Sequence, residues 1–114
     1  MELELEKSMR IISDLVSYCG CEGATEVSMH LKRIDDHSTS MSVSAPVRDL
    51  HPDKLDIIRQ TLSAPRQHEI EQDFWELSGE TEFGAELSLV AAMIDDASVE
   101  YANGQLHIYA RRDD

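Results

Sequence analysis

The stretch of the chain that decides its fold reads GAELSLVAAMIDD (84–96), ASVEYA (97–102), NG (103–104) and QLHI (105–108). Apolar residues behind Gly84 recur at three- and four-residue steps, which is typical of the buried face of a helix. These residues are Leu87, Val90, Ala91 and Ile94. Two alternating segments then flank Asn103-Gly104, a pair that tolerates the positive φ angles of a type I′ turn. The stretch predicts a helix followed by a β-hairpin at 97–111.

The first part of the chain shows the same order. Residues 3–19 predict a helix that ends at Gly20 and Gly23. Its predicted apolar face consists of Leu5, Met9, Ile12, Leu15, Val16 and Cys19. Alternation of apolar and polar residues then predicts a hairpin at 25–45, with a polar turn at 35–38 and an end at Pro46. Its apolar positions are Val27, Met29, Leu31, Met41, Val43 and Ala45.

Two further helices are predicted between the hairpins. The first begins at Pro52, a residue suited to the first helical position, and ends at Ser63-Ala64-Pro65. It buries Leu55, Ile58 and Leu62, whereas Ile57 falls off this stripe. The second helix carries Ile70, Phe74 and Leu77, and a loop follows at 78–83. This order predicts a single α+β domain over 1–114: a two-layer sandwich with a mixed or antiparallel sheet and helices on one face.

The opposite sheet face is predicted to be polar and to face water or a partner. Its residues are Ser28, His30, Lys32, Ser42, Ser44, His107 and Tyr109.

Charge and composition exclude several classes of function. The chain has 23 acidic and 10 basic residues, a net charge of −13, and no Lys or Arg between 69 and 110. Such a surface repels phosphate backbones and anionic lipids, so we expect neither nucleic-acid nor membrane binding. The acidic N-terminus does not fit a signal peptide. Cys19 and Cys21 are only one residue apart, so a disulfide between them could not stabilise a fold. We therefore expect a cytoplasmic protein. The acidic surface either keeps the protein in solution or attracts a basic partner.

Catalytic and metal motifs are sparse. None of the five histidines is spaced with another ligand as in a known metal site, and no Gly-x-Ser-x-Gly sequence occurs. His68-Glu69 alone is weak evidence for a phosphorylated histidine. We therefore predict no metal and no catalytic residues. Cys19 is predicted to be buried as a small apolar residue, and Cys21 to be exposed.

The order of elements, together with three local signals, resembles the GHKL superfamily, the ATPase domains of histidine kinases, gyrase-type proteins and anti-sigma-factor serine kinases. In that family the first helix carries an acidic residue, an Asn four residues on and a Gly five further. Asp14 and Gly23 fit this frame, but Tyr18 stands where the family's Asn holds Mg²⁺. A phenol is a poor ligand for a hard cation at neutral pH.

The other two nucleotide motifs are also altered. Ala45, Val47 and Asp49 stand at the Asp and the two glycines of the family's Asp-x-Gly-x-Gly sequence. Ala45 cannot accept a hydrogen bond from the adenine amino group. In the later glycine-rich loop Gly84 is retained, but Glu86 replaces a glycine that would lie under the phosphates. A carboxylate there costs about 1 kcal/mol or more.

The resemblance therefore implies the fold without the chemistry: a pseudo-ATPase that binds no cofactor. It implies a regulatory or protein-interaction domain in bacterial signalling, with a response regulator, a sigma factor or a copy of itself as partner. The alternative is a working ATP-dependent kinase that phosphorylates a serine or histidine of its partner.

One surface is predicted to bind the partner. Trp75 lies off the predicted apolar stripe and could anchor an interface beside acidic residues, although it could equally close the edge of the core. The predicted surface comprises Glu71, Trp75, Glu76, Glu80, Glu82 and Glu86. The next candidate is the polar sheet face around His30, Ser42 and Tyr109.

Overall fold

A computed structural model describes residues 3–64, 66 and 85–113. Within them it contains three helices and one four-stranded antiparallel sheet, which confirms the predicted α+β class. The elements are α1 (Leu3–Cys21), β1 (Ser28–Arg33), β2 (Ser38–Pro46), α2 (Pro52–Leu62), α3 (Ala85–Met93), β3 (Asp96–Ala102) and β4 (Gln105–Asp113). No helix in the described part of the chain is long and apolar enough to cross a membrane.

Both predicted hairpins are present, and they join through β2 and β4 to give the strand order β1-β2-β4-β3. Val43 of β2 lies opposite Ile108 of β4 at the centre of the sheet. Side chains on one face of these two strands are buried, and those on the other face are partly or fully exposed. The buried set comprises Thr39, Met41, Val43, Ala45, Leu106, Ile108, Ala110 and Arg112. Period-two alternation in the sequence thus produced a sheet with one core face.

The helices cover that core face. Helix α1 packs against β2, α2 packs against β3, and α3 contacts both α1 and α2. Among the described side chains of α3, residues 87 and 89–93 are all buried and Ser88 is exposed. Such a helix belongs in an interior.

The first two turns of α1 differ from the sequence prediction. Leu5 and Met9 were expected on the buried face, but their side chains are 39% and 51% exposed. The buried residues of α1 are Lys7, Ser8, Ile11, Ile12, Leu15, Tyr18 and Cys19. Helical spacing identifies an apolar face, but it does not state how far the neighbouring sheet extends over that face.

The boundaries of α2 follow the predicted local signals. Pro52 occupies the first turn, and the helix ends at Ser63, whose backbone N–H donates to the carbonyl of Arg59. The cap was not predicted: Nδ1 of His51 accepts from the N–H of Asp53 at 3.1 Å. Because this N–H has no partner inside the helix, the imidazole satisfies it in the manner of a capping side chain. The predicted helix with Ile70, Phe74 and Leu77 lies outside the described residues.

The polar sheet face is arranged as predicted. His30 pairs with Ser42, which pairs in turn with Tyr109, so these three residues form a row across three strands. In the next row the hydroxyl of Ser44 is hydrogen-bonded to Nδ1 of His107. This face presents hydroxyl and imidazole groups rather than apolar surface.

Two neighbouring isoleucines of α2 test which face of this helix packs into the core. Ile58 is 1% exposed and Ile57 is 61% exposed. Ile58→Ala removes buried methylene groups and leaves a cavity, and we expect a loss of about 2–5 kcal/mol in the free energy of unfolding. Ile57→Ala, the matched control, should stay within about 0.5 kcal/mol of the unmodified protein. Urea denaturation measures both, and equal losses would contradict this orientation of α2.

Candidate functional site

A cavity of about 580 Å³ opens where the end of α1, the end of β2 and the β3–β4 turn meet. The segment after α1 contributes Glu22, Gly23 and Thr25. The end of β2 and the segment after it contribute Pro46, Val47, Arg48 and Asp49, and the second hairpin contributes Tyr101 and Gly104. These residues mix apolar, cationic and acidic groups. We refer to this cavity as the α1–β2 pocket.

Hydrogen bonds hold the segment after β2 against the second hairpin. The N–H of Val47 donates to the carbonyl of Gly104 at 2.9 Å, which extends the pairing of β2 and β4 beyond the strand ends. The hydroxyl of Tyr101 donates to the carbonyl of Val47 at 2.6 Å and accepts from the N–H of Leu50 at 3.5 Å. Asp49 adopts a φ of 53°, a left-handed conformation that Asp tolerates better than most residues. The chain therefore turns here towards α2 along a fixed course.

A buried carboxylate connects the pocket to both helices. The side chain of Glu22 is only 4% exposed, and its Oε1 lies 2.7 Å from Nζ of Lys54 on α2. Its Oε2 accepts a hydrogen bond from the hydroxyl of Tyr18 at 3.1 Å. A buried carboxylate needs such partners because it has lost its hydration. The result is a compensated group that cross-links α1 to α2, with Lys54 engaged by Glu22.

The environment of α1 suppresses ionisation of two of its side chains. Burial, followed by the nearby Glu22 carboxylate and the hydrogen bond to it, raises the pKa of the Tyr18 hydroxyl far above its usual range. Burial, followed by the charge of Glu22, raises the pKa of the Cys19 thiol from 9.0 to about 11. A thiol that stays protonated is a poor nucleophile, so Cys19 is suited to packing rather than to reaction. Cys19 is fully buried and Cys21 is exposed, as predicted.

Several positions singled out by the family resemblance lie in or beside this pocket. Gly23, Val47 and Asp49 line it. Tyr18 is 4% exposed and reaches the pocket only through its bond to Glu22. Ala45 is 0% exposed and points into the core.

Asp14 does not line the pocket. Its carboxylate is part-buried, and Oδ2 lies 3.2 Å from Nε of Arg10 one turn earlier in α1. The Asp14 carboxylate is therefore paired with a side chain of its own helix and not with a group that lines the pocket.

The remaining predicted site residues are not described by the structure. Gly84 lies outside the described residues, and the side chain of Glu86 is also outside them. The partner surface predicted from Glu71, Trp75, Glu76, Glu80 and Glu82 lies outside as well, and it stays a prediction.

The described part of the pocket carries a balanced charge. Glu22 is neutralised by Lys54, and exposed Arg48 and Asp49 are neighbours on the rim. No group of three or more His, Cys, Asp or Glu side chains in the described ranges could hold a metal ion. The lining residues include one cation, Arg48, and two carboxylates, Glu22 and Asp49, so the described pocket does not concentrate positive charge for a triphosphate.

Sequence reasoning missed the contacts that give the pocket its shape. Glu22, which directly follows α1, pairs with Lys54 of α2, and the Tyr101 hydroxyl donates a hydrogen bond to Val47, which is distant in the chain. A buried acidic residue has no signature in a single sequence. The one available signal was the four-residue spacing of Tyr18 and Glu22, which brings the two side chains together at the end of α1.

Comparison with protein-family models, with curated proteins and with solved structures finds no match to this chain.

Alkaline pH should destabilise the protein through Cys19 and Tyr18. Both have a higher pKa in the folded chain, so unfolding releases their protons once the pH exceeds the ordinary values of 9.0 and 10.0. The stability that they contribute is fully present below about pH 9 and falls as the pH rises, with the thiol part lost by about pH 11. Urea denaturation at a series of pH values measures this fall.

The Cys19→Ala and Tyr18→Phe variants should each show a shallower fall over this range, because each removes one of the two titrating groups. Cys21→Ala removes an exposed thiol from the same helix and controls for the loss of a cysteine. A fall that is equally steep in both variants and in the unmodified protein would show that other groups cause it.

Proposed function

We propose that this chain is a non-catalytic member of the GHKL superfamily that acts as a regulatory or protein-interaction domain in bacterial signalling. The proposal combines the resemblance of the sequence with the local geometry of the α1–β2 pocket. Its partner is a protein, of the class of response regulators or sigma factors, or a second copy of this chain.

One observation carries the non-catalytic part of the proposal. Tyr18 and Ala45 stand where the family contacts Mg²⁺ and adenine, and they are 4% and 0% exposed. A ligand in the pocket would meet neither side chain without disrupting the core. The hydroxyl of Tyr18 is also committed to Glu22, at 3.1 Å. A Mg²⁺ ion and an adenine ring would therefore lack the side-chain contacts that the family provides for them.

The charge of the pocket supports the same conclusion. The buried carboxylate of the pocket, Glu22, is paired with Lys54, whose ammonium group lies 2.7 Å away. Freeing Lys54 for a phosphate would leave that buried carboxylate without its cation, which is strongly unfavourable. Asp49 occupies a position where a glycine would let the backbone approach the phosphates. Together these groups oppose the binding of a triphosphate.

Thermal unfolding with Mg-ATP tests the absence of nucleotide binding. A ligand at about 100 times its Kd stabilises a protein by roughly 2.7 kcal/mol, which raises the Tm of a domain of this size by several degrees. We expect no rise at millimolar Mg-ATP relative to Mg²⁺ alone. A rise of several degrees would favour the alternative, a working ATP-dependent serine or histidine kinase, and a phosphotransfer assay would then follow.

The binding of a basic partner tests the interaction part. We propose that Trp75 anchors this contact and that the surrounding glutamates speed the encounter, so charge reversal at Glu76 and Glu80 should slow association. Trp75→Ala should instead speed dissociation. Binding should weaken with salt, since exposed charges are screened beyond about 8 Å at physiological ionic strength. Kinetics by surface plasmon resonance measure all three effects, and unchanged rates in both variants would move the site to the sheet face of His30, Ser42 and Tyr109.

A further inference from the structure

The two edge strands of the sheet, β3 and β1, differ in their contacts with the rest of the protein. At the β3 edge, Nε and Nη2 of Arg59 donate to the carbonyl of Val99 at 3.0 and 2.9 Å, so a side chain of α2 occupies one outward-facing carbonyl of this edge. At the opposite edge, all six residues of β1 are exposed. Exposed edge strands offer backbone donors and acceptors to another strand, and proteins commonly cover or blunt them. Strand β1 is therefore an edge of the described sheet that is open to a further strand.

The hairpin geometry identifies which backbone groups point outward from β1. The N–H of Ile34 donates to the carbonyl of Ser38 at 2.9 Å, so Ile34 turns its backbone groups towards β2. Because hydrogen-bonding direction alternates along an antiparallel strand, His30 and Lys32 also face β2. The N–H and C=O groups of Met29 and Leu31 consequently point to the outer side of β1.

An exposed apolar seam runs beside this edge. We define the β1 seam as Leu5, Met9, Met29 and Leu31, which are 39%, 51%, 51% and 36% exposed. Met29 and Leu31 pair with Val43 and Met41, so they lie on the core side of the sheet. Leu5 lines the same groove as Leu31, a cavity of about 450 Å³. The seam thus continues the core to the edge of the sheet, and contiguous exposed apolar surface marks interaction sites.

We propose that β1 and the β1 seam form the interface of a homodimer, in which a second copy adds its own β1 in antiparallel orientation. The sheets of the two copies then join into one continuous sheet about a two-fold axis. In this dimer the outward-facing backbone groups of one β1 must bond to those of the other. When His30 lies on the two-fold axis, Met29 of one copy lies opposite Leu31 of the second copy. Each copy thereby supplies an identical apolar seam to the other. This inference does not depend on the kinship proposed above.

Two arguments favour a second copy over a lone extended peptide. A peptide would satisfy the backbone groups of β1, but only a second copy brings another α1 to pack beside Leu5 and Met9. The register also brings opposite charges together: Lys32 lies opposite Ser28 of the second copy and diagonal to its Glu26. Diagonal neighbours on one sheet face are within reach of long side chains, and opposite charges there are favourable. Glu26 is exposed and lies just before β1.

Sedimentation equilibrium of the full chain over a range of concentrations tests the proposal. We expect a species of twice the 12.9 kDa chain mass. Leu31→Lys and Met29→Lys should each raise the dimer Kd by at least about tenfold, because each places two charges in an apolar interface. Ile57→Lys, at an exposed position on α2, is the matched control and should leave the Kd unchanged. Thermal unfolding confirms that the variants fold.

A charge exchange tests the register. Lys32→Glu and Glu26→Lys should each weaken the dimer, and the double variant should recover most of the affinity. Because the interface is apolar and each copy carries a net charge of −13, added salt should strengthen association or leave it unchanged. A monomer at all concentrations, or a dimer that neither seam variant weakens, would overturn the proposal. So would a chain that stays monomeric and binds an acidic extended peptide at β1 with an affinity that falls with salt.

Discussion

The buried guanidinium of Arg112 is the constraint on which the arrangement of the two layers depends. Arg112 is 1% exposed, on the core face of β4 and opposite Thr39. Its Nη1 donates to the carbonyl of Met93, the last residue of α3, at 2.8 Å. A charge removed from water must be matched by polar partners, and the C-terminal end of a helix offers carbonyls and a favourable dipole. The end of α3 is therefore held against the end of β4.

This contact positions the other helices as well. Helix α3 contacts both α1 and α2, and β4 is a central strand of the sheet. Fixing α3 on β4 thus fixes the helical layer on the sheet. At the far end of the sheet the Glu22–Lys54 pair ties α1 to α2 directly. One buried arginine and one buried glutamate, each with its partner, align the apolar surfaces that supply most of the stability.

The same packing supports the proposal that the chain is a pseudo-ATPase. Side chains that the family would direct towards a ligand are used here for the interior: Tyr18 fills space beneath Glu22, and Ala45 packs in the core. Folds keep their architecture when sites change, because the core and the site place separate demands on the chain. On this view the exposed surfaces of the molecule carry its function, and β1 is the described edge at which backbone groups and apolar side chains are available together.

The sequence by itself determined the elements with strong local patterns. Alternating residues and Asn103-Gly104 specified both hairpins, Pro52 specified the start of α2, and Cys19 was correctly assigned to the core. Tertiary structure alone decided how far each apolar face is covered and which distant groups meet. Leu5 and Met9 share the periodicity of Ile12 but are largely exposed, and Glu22 meets Lys54 because the segment after α1 packs beside α2. Apolar periodicity and turn residues act within a short segment, whereas coverage and long-range pairs depend on how the layers pack, which no short segment encodes.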